Sequence, residues 1–279
     1  VIEPDFFFVN GKPASSGLPS QSRAFSYGDG VFETARIISG RLPLWAFHQQ
    51  RLQRGLSTLA LNADLALVQA NIDKLFQQLP ANANGVLKVL VSRRGNFRAS
   101  YASGPQGVDI FVYFYARNAN NSWLQRAVEL RVAQGTLPLN PSLAGIKHCS
   151  RLPYIVAAKN ISDLHDGQEV LFLDSQNHLV ETMHHNIFYV FANQLHTPKI
   201  QQVGVDGVLR STIIKEFAPS LGLDVLECDI GLGESNAADE IFLCNAVAGL
   251  VPVNKIDGEA VPEGKLAPRI ASCLLESYS

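Results

Sequence analysis

Glu181-Thr182-Met183-His184-His185-Asn186-Ile187-Phe188, followed by Leu195-His196-Thr197 and then by Val205-Asp206-Gly207-Val208-Leu209-Arg210, is the stretch on which the fold of this chain turns. Ile187 to Ala192 has strand character, and Gly207-Val208-Leu209 opens into a helical spacing carried by Ile213, Phe217 and Leu221. A glycine placed directly before a helix leaves backbone N–H groups and the positive end of the helix dipole available to an anion. Upstream, Gly145-Ile146-Lys147-His148-Cys149-Ser150-Arg151-Leu152 sets one lysine in a short apolar-flanked turn. Lysines are mostly exposed, and taken alone this octapeptide reads as a surface loop. Partial burial would disfavour the ammonium and let Lys147 condense with a carbonyl to give a Schiff base.

The composition narrows the classes of function. The 279 residues are 47% hydrophobic and carry a net charge of −2, which is a globular composition without the broad basic field that nucleic acid or an anionic membrane requires. An anionic ligand must therefore be met by local cations. Cys149, Cys228, Cys244 and Cys273 are scattered without a CxxC, so neither a zinc ribbon nor a disulfide framework is indicated, and a reducing cytoplasm fits best. No apolar run approaches the roughly 18 residues of a membrane span, and the N-terminus lacks a signal-peptide pattern.

Working outward, Phe6 to Val9 followed by Asn10-Gly11 reads as a strand entering a hairpin. Trp45, His48, Leu52, Leu56 and Leu59 are at helical spacing within 44 to 61, with Arg51 on the flank of the buried stripe, free to face in or out. A second helix runs from Leu65 to Leu79, with Asp64 as cap and Pro80 as stop. Val86 to Ser92 and Val108 to Tyr115 are strands joined by a loop rich in Gly, Ser and Arg. These elements define a small N-terminal α/β domain over 1–115. The polar, aperiodic residues 116–122 are the linker, and 123–279 form a larger domain. The larger domain has strands at Val128 to Val132, Val170 to Leu173 and Glu240 to Cys244, and a helix from about Lys265 to Glu276.

The ordered set in the opening stretch resembles the signature of the fold-type IV pyridoxal phosphate enzymes, the family of branched-chain and D-amino-acid aminotransferases and their lyase relatives. The matching pieces are the glutamate, the asparagine five residues on, the Ile-Phe pair, Leu-x-Thr and Val-x-Gly-Val-x-Arg. Met183 departs from it, where the family usually has a small residue. The resemblance implies a mixed α+β, two-domain fold whose larger domain has a β-barrel-like core, with pyridoxal 5'-phosphate as cofactor. It also implies the roles. Lys147 carries the cofactor, Glu181 partners the pyridine nitrogen, and Arg51 grips the phosphate with its planar fork. Val208 and Leu209 donate to the phosphate through main-chain N–H groups, Asn245 and Ala246 match a second phosphate-contacting turn, and Asn186 supports the loop after Glu181. Gly28-Asp29-Gly30 lacks a full phosphate-loop pattern and matches the family's N-terminal Gly-Asp-Gly-x-Phe instead. A metal site at His184-His185 is not expected, since adjacent residues of an extended chain point to opposite faces and no third ligand stands at suitable spacing.

Within the family, further pieces are similar to the lyase branch: Phe-Glu-Thr-Ala-Arg at 32–36, Asn84 to Val89, Arg94-Gly-Asn-Phe-Arg-Ala-Ser-Tyr at 94–101, and Asn140 to His148. This resemblance implies cleavage of 4-amino-4-deoxychorismate to 4-aminobenzoate and pyruvate, a step toward folate, by a homodimer. Lys147 would act as base, Thr34 would help protonate the departing enolpyruvate, and Arg94 or Arg98 would hold a substrate carboxylate. Arg23, Arg151 and Arg210 compete for that last role. The alternatives are a branched-chain or D-amino-acid aminotransferase, and a cofactor-free scaffold that kept the fold. Loss of Lys147 or Glu181 would mark the scaffold, and both are present.

Overall fold

A computed structural model of the chain describes residues 3–14, 22–95, 101, 107–118, 122–161 and 163–278. It divides into two compact units, 1–120 with 146–151, and 121–145 with 152–279. The division into continuous segments expected from sequence differs here in one respect that matters: 146–151, which contains Lys147, belongs with the first unit.

The first unit is built on an antiparallel sheet. Its strands are β1 (Phe6–Val9), β2 (Lys12–Pro13), β3 (Gly30–Ile37), β4 (Gly85–Arg93) and β5 (Val108–Ala116), in the order β2-β1-β5-β4-β3. Asn10 and Gly11 both take positive φ, 50° and 72°, as the tight turn between β1 and β2 demands. The short helix α1 (Arg23–Tyr27) precedes β3; α2 (Trp45–Thr58) packs on β3 and α3 (Leu65–Phe76) on β5. Asp64 caps α3 by accepting the Leu67 N–H at 2.7 Å, and the helix ends at Phe76, short of Pro80. Strand alternation gives β3 two different faces. Val31 lies against Gly55 of α2, where a Cβ would come within 2.8 Å of the valine, so the odd-numbered residues of β3 face the helix. Phe32 lies on the opposite face, in a cluster with Phe7, Leu90, Phe111 and Tyr113.

In the second unit, strand character expected for four stretches resolves into β6 (Val128–Leu137), β7 (Gln168–Asp174), β8 (Leu179–Thr182), β9 (Asn186–Phe191), β10 (Gln194–Pro198), β11 (Val225–Cys228), β12 (Glu240–Asn245), β13 (Gly249–Ile256) and β14 (Glu259–Ala260). The order is β11-β10-β9-β12-β13-β6-β7-β8, with β14 on β13. The two ends of this order meet: Leu179 N–H donates to the Ile230 carbonyl at 2.8 Å, and His178 pairs with Gly231. The sheet therefore curls into a barrel-like core filled by Leu130, Leu171, Ile187, Tyr189, Leu243 and Val251. Around it lie α4 (Leu152–Ala157), α5 (Val208–Thr212), α6 (Ala218–Ser220), α7 (Leu232–Ser235) and α8 (Leu266–Tyr278). Ile213 and Phe217, expected at α-helical spacing, instead bound a π-helical turn, Ile213–Phe217, which joins α5 to α6. Among the described residues no helix is long and apolar enough to cross a membrane.

The start of α8 is held from a distance. Buried Glu240 accepts the N–H groups of Leu266 and Ala267, both at 2.8 Å, which would otherwise lack acceptors at the helix start. Glu240→Ala should therefore lower unfolding free energy by about 2–4 kcal/mol in urea titrations, mostly from the two orphaned donors.

Candidate active site

Glu181 is the penultimate residue of β8, with its carboxylate buried and three donors around it. Tyr154 O–H donates to Oε1 at 2.6 Å; the Val205 N–H and Asn186 Nδ2 donate to Oε2 at 2.9 and 3.1 Å. Asn186 Nδ2 also reaches the Val205 carbonyl at 2.8 Å, so this side chain ties the strand after Glu181 to the segment leading into α5. Gly207 is required there, because a Cβ would stand 1.8 Å from Asn186 Oδ1. The chain enters the helix directly after it, with Val208 and Leu209 buried in the first turn. N–H groups in a first turn have no intrahelical acceptor.

Two residues in this unit are held differently from what their position in the sequence implies. Arg210 is buried on Glu227 at 2.5 Å, the Pro198 carbonyl at 2.9 Å, and Thr197 Oγ1 and Asp206 at 3.3 Å, which makes it a brace for α5 rather than a substrate ligand. Asn245 spends its side chain on its own turn: Oδ1 accepts from Val247 N–H at 2.9 Å and Ala248 N–H at 2.6 Å, and Nδ2 donates to the His184 carbonyl at 3.2 Å. Only the main chain at Asn245 and Ala246 is left to serve a ligand. The two histidines are not splayed as an extended chain requires. Thr182 N–H closes a turn onto the His185 carbonyl at 2.8 Å, and both imidazoles reach Glu169, at 3.3 and 3.2 Å. Burial pushes the Glu169 carboxyl up, but hydrogen bonds and charge from the two histidines outweigh it and hold the group at about 2.

In the first unit, 146–151 lies along the outer edge of β3. Phe32 N–H donates to the Lys147 carbonyl and Cys149 N–H to the Gly30 carbonyl, both at 2.9 Å, with Val31 opposite His148. Lys147 is half-buried, its Nζ 4.7 Å from the centroid of the Phe32 ring. Two further cations share that ring: Lys88 Nζ at 5.5 Å and Arg151 Cζ at 5.8 Å. Lys88 also lies 5.9 Å from the Tyr113 centroid, and it pairs directly across from Thr34, which puts Thr34 on the same face. The neutral groups nearby stay neutral. Burial, with Arg151 and Lys147, holds His148 down at about 4. Burial pushes the Cys149 thiol up to about 11 and, with Tyr115, the Tyr113 phenol up to about 12.

Arg51 faces inward. Its Nε and Nη2 reach the two oxygens of Glu33 at 2.9 and 2.5 Å, and His48 Nδ1 lies 2.7 Å from Glu33 Oε2. Burial alone would raise Glu33, but the charge and hydrogen bonds of Arg51 and His48 win and hold it at about 2. Of the arginines proposed for a substrate carboxylate, Arg94 meets Asp109 at 3.0 Å and the Val108 carbonyl at 2.8 Å, within its own hairpin. Arg23 and Arg93 both converge on Asp29, at 2.7 and 3.0 Å. Arg98 lies outside the described residues. Lys88, Tyr113, Glu33 and Tyr154 were not singled out from sequence. The signal for Glu33 was present, as a carboxylate inside an otherwise apolar strand requires a partner.

Residues 30–256 match the family described as Amino-transferase class IV, and the chain belongs to that family. Within it, the chain is 33% identical to the aminodeoxychorismate lyase of Vibrio harveyi, across 95% of this chain and 97% of that protein. The crystal structure of 4-amino-4-deoxychorismate lyase from Pseudomonas aeruginosa superposes with a TM-score of 0.87 at 31% identity, covering 98% of this chain and 99% of that one. A branched-chain-amino-acid aminotransferase of Salmonella typhimurium is 32% identical across 95% of this chain and 89% of its own.

The depressed Glu33 fixes a pH dependence. Its folded value lies below the ordinary 4.5, so its contribution is complete above that value and is lost as pH falls through about 2. Stability should drop by a few kcal/mol between pH 4.5 and 2, and Glu33→Gln should flatten that part of the profile in urea unfolding at stepped pH.

Proposed function

We propose that this chain is a pyridoxal 5'-phosphate-dependent lyase that cleaves 4-amino-4-deoxychorismate to 4-aminobenzoate and pyruvate. The observation that carries the reading is the Phe32 face, where Lys147, Lys88 and Arg151 gather over one aromatic ring. A ring substrate with two carboxylates is suited to such a surface. The aliphatic side chain of a branched-chain amino acid needs an apolar one, and this weighs against the aminotransferase. Identity to the Vibrio harveyi lyase over nearly the whole chain supports the same choice.

The residues fit the cofactor. The buried Glu181 carboxylate, held by three donors, would face the pyridine nitrogen and keep it protonated; the glycine-gated start of α5 would offer the Val208 and Leu209 N–H groups to the phosphate; and the main chain at Asn245 and Ala246 would supply the second turn. When bound, pyridoxal phosphate supplies an electron sink joined to the substrate amine. Lys147 would hold the cofactor and, displaced by the incoming amine, take the proton from the ring carbon bearing that amine. Breaking the ring carbon–oxygen bond then releases enolpyruvate and leaves an aromatic ring. Thr34, which lies opposite Lys88 on the same face of β3, would pass a proton to the enolpyruvate carbon. One proton leaves the ring and one is added to the departing group, so no other reactant is consumed. Lys88 takes over from Arg94 as the carboxylate ligand in this reading.

The same reading has the protein as a cytoplasmic homodimer. Leu152, Ile155 and Val156, 64%, 62% and 53% exposed on α4, support self-association, and the cysteines are free among the described residues.

Incubated with 4-amino-4-deoxychorismate and no keto acid, the protein should release 4-aminobenzoate and pyruvate in equal amounts, and Lys147→Ala should reduce this by at least about 10²–10⁴-fold. Product that appears only when a keto acid is added would replace the lyase with an aminotransferase. Sedimentation of the same preparation should show a dimer; an active monomer would remove that part of the reading.

A further inference from the structure

Lys88 and Tyr113 are directly opposing residues of β4 and β5, and the row they form continues to Thr34 of β3 on one side and Phe7 of β1 on the other. Directly opposing side chains of an antiparallel pair share a face, with Cβ atoms about 4.5–5.5 Å apart. The Tyr113 ring stacks on Phe7 with centroids 4.5 Å apart at 15°, which a phenylalanine would do equally well. The hydroxyl therefore has no part in the packing. Among the described residues it has no hydrogen-bond partner. Burial, with Tyr115 and Cys149, pushes the phenol up to about 12, so near neutral pH it is an O–H donor. Lys88, half-buried, lies near the Phe32 and Tyr113 rings and meets no carboxylate among the described residues. A cation withdrawn from water is ordinarily paired with an anion, and a half-buried phenol ordinarily finds an acceptor. One carboxylate, with two oxygens, would complete both.

The substrate of the proposed reaction carries two such groups, and their chemistry separates them. The ring carboxylate stands across the ring from the amine. The enolpyruvyl carboxylate is attached to the same carbon as the methylene that must receive a proton. The group that delivers that proton and the groups that hold that carboxylate must therefore be neighbours, and Lys88 lies directly opposite Thr34. We infer that Tyr113 is a substrate-binding residue which, together with Lys88, holds the carboxylate of the departing enolpyruvyl group and not that of the ring. This rests on the lyase reading and on Thr34 as the proton donor.

The two products of the reaction separate the two carboxylates, because pyruvate retains one and 4-aminobenzoate the other. Cofactor-loaded protein is assayed with 4-amino-4-deoxychorismate, and inhibition constants are measured for each product, with melting temperature and visible absorbance recorded alongside. Tyr113→Phe removes a hydroxyl that bonds nothing among the described residues, so the fold is not at stake. It should raise KM about tenfold or more, by a factor larger than its effect on kcat, and weaken pyruvate inhibition to a similar extent. Inhibition by 4-aminobenzoate, the absorbance and the melting temperature should be unchanged. Lys88→Met should show the same selectivity. Because the two residues share one anion, the double variant should lose less than the product of the two single factors.

Weaker inhibition by 4-aminobenzoate with pyruvate unaffected would overturn the inference by moving the pair to the ring carboxylate. Inhibition by both products unchanged in Tyr113→Phe would remove Tyr113 from the substrate. Equal weakening of both, with a lower melting temperature, would make it a packing residue. If the unsubstituted protein releases no product without a keto acid, the lyase reading itself fails and the inference falls with it.

Discussion

Two backbone hydrogen bonds, Phe32 N–H to the Lys147 carbonyl and Cys149 N–H to the Gly30 carbonyl, hold in place the segment that carries Lys147, the residue proposed to bear the cofactor. β3 is the last strand of its sheet, so its outer edge presents unpaired N–H and C=O groups. The segment 146–151 satisfies part of that edge and is fixed by doing so. A lysine on an unpaired loop would sample many directions, and ordering it would cost entropy in each cycle of the reaction. Here the strand bears that cost during folding. Gly28, in the left-handed region at φ 67°, packs the chain before β3 against Ser150 so closely that a Cβ at this position would stand 2.9 Å from the Ser150 Cα.

The period of a strand then separates two tasks. Residues 32, 34 and 36 share the face where Lys147, Lys88 and Arg151 approach, while Glu33 projects to the other face to meet α2. His148, Cys149 and Tyr113 are all held neutral by burial, so the charge near Phe32 comes from the cations. A chain with net charge −2 thereby presents a local positive surface to an anionic substrate. A one-residue slip of β3 would exchange the two faces and destroy both arrangements together.

Much of this was legible in the residues. The Asn10-Gly11 turn, the Asp64 cap, the glycine before α5 and the asparagine five residues after Glu181 are local patterns, and local patterns survive without knowledge of the fold. What sequence did not disclose is non-local. Periodicity placed Arg51 at the flank of its helix, but the direction it faces depends on Glu33, contributed by a strand 18 residues away. Lys88 sits in an alternating apolar run and becomes noteworthy only when β4 pairs with β3 and brings it opposite Thr34. Residues 146–151 follow the first unit because of hydrogen bonds to a strand more than a hundred residues earlier, and nothing in their composition records that. Asn245 matched a motif, yet its side chain is committed to its own turn, a role that a motif cannot distinguish from ligand binding.

The central claim is that Lys147, fixed on the edge of β3, is the lysine that carries the cofactor. Lys88 is the sharpest rival, since its ammonium lies over the same phenyl ring at 5.5 Å against 4.7 Å for Lys147. Borohydride reduction of the cofactor-loaded protein, followed by peptide mapping, separates the two directly. The pyridoxyl group is expected on the peptide containing Lys147; recovery on the peptide containing Lys88, or on any other lysine, would contradict the account.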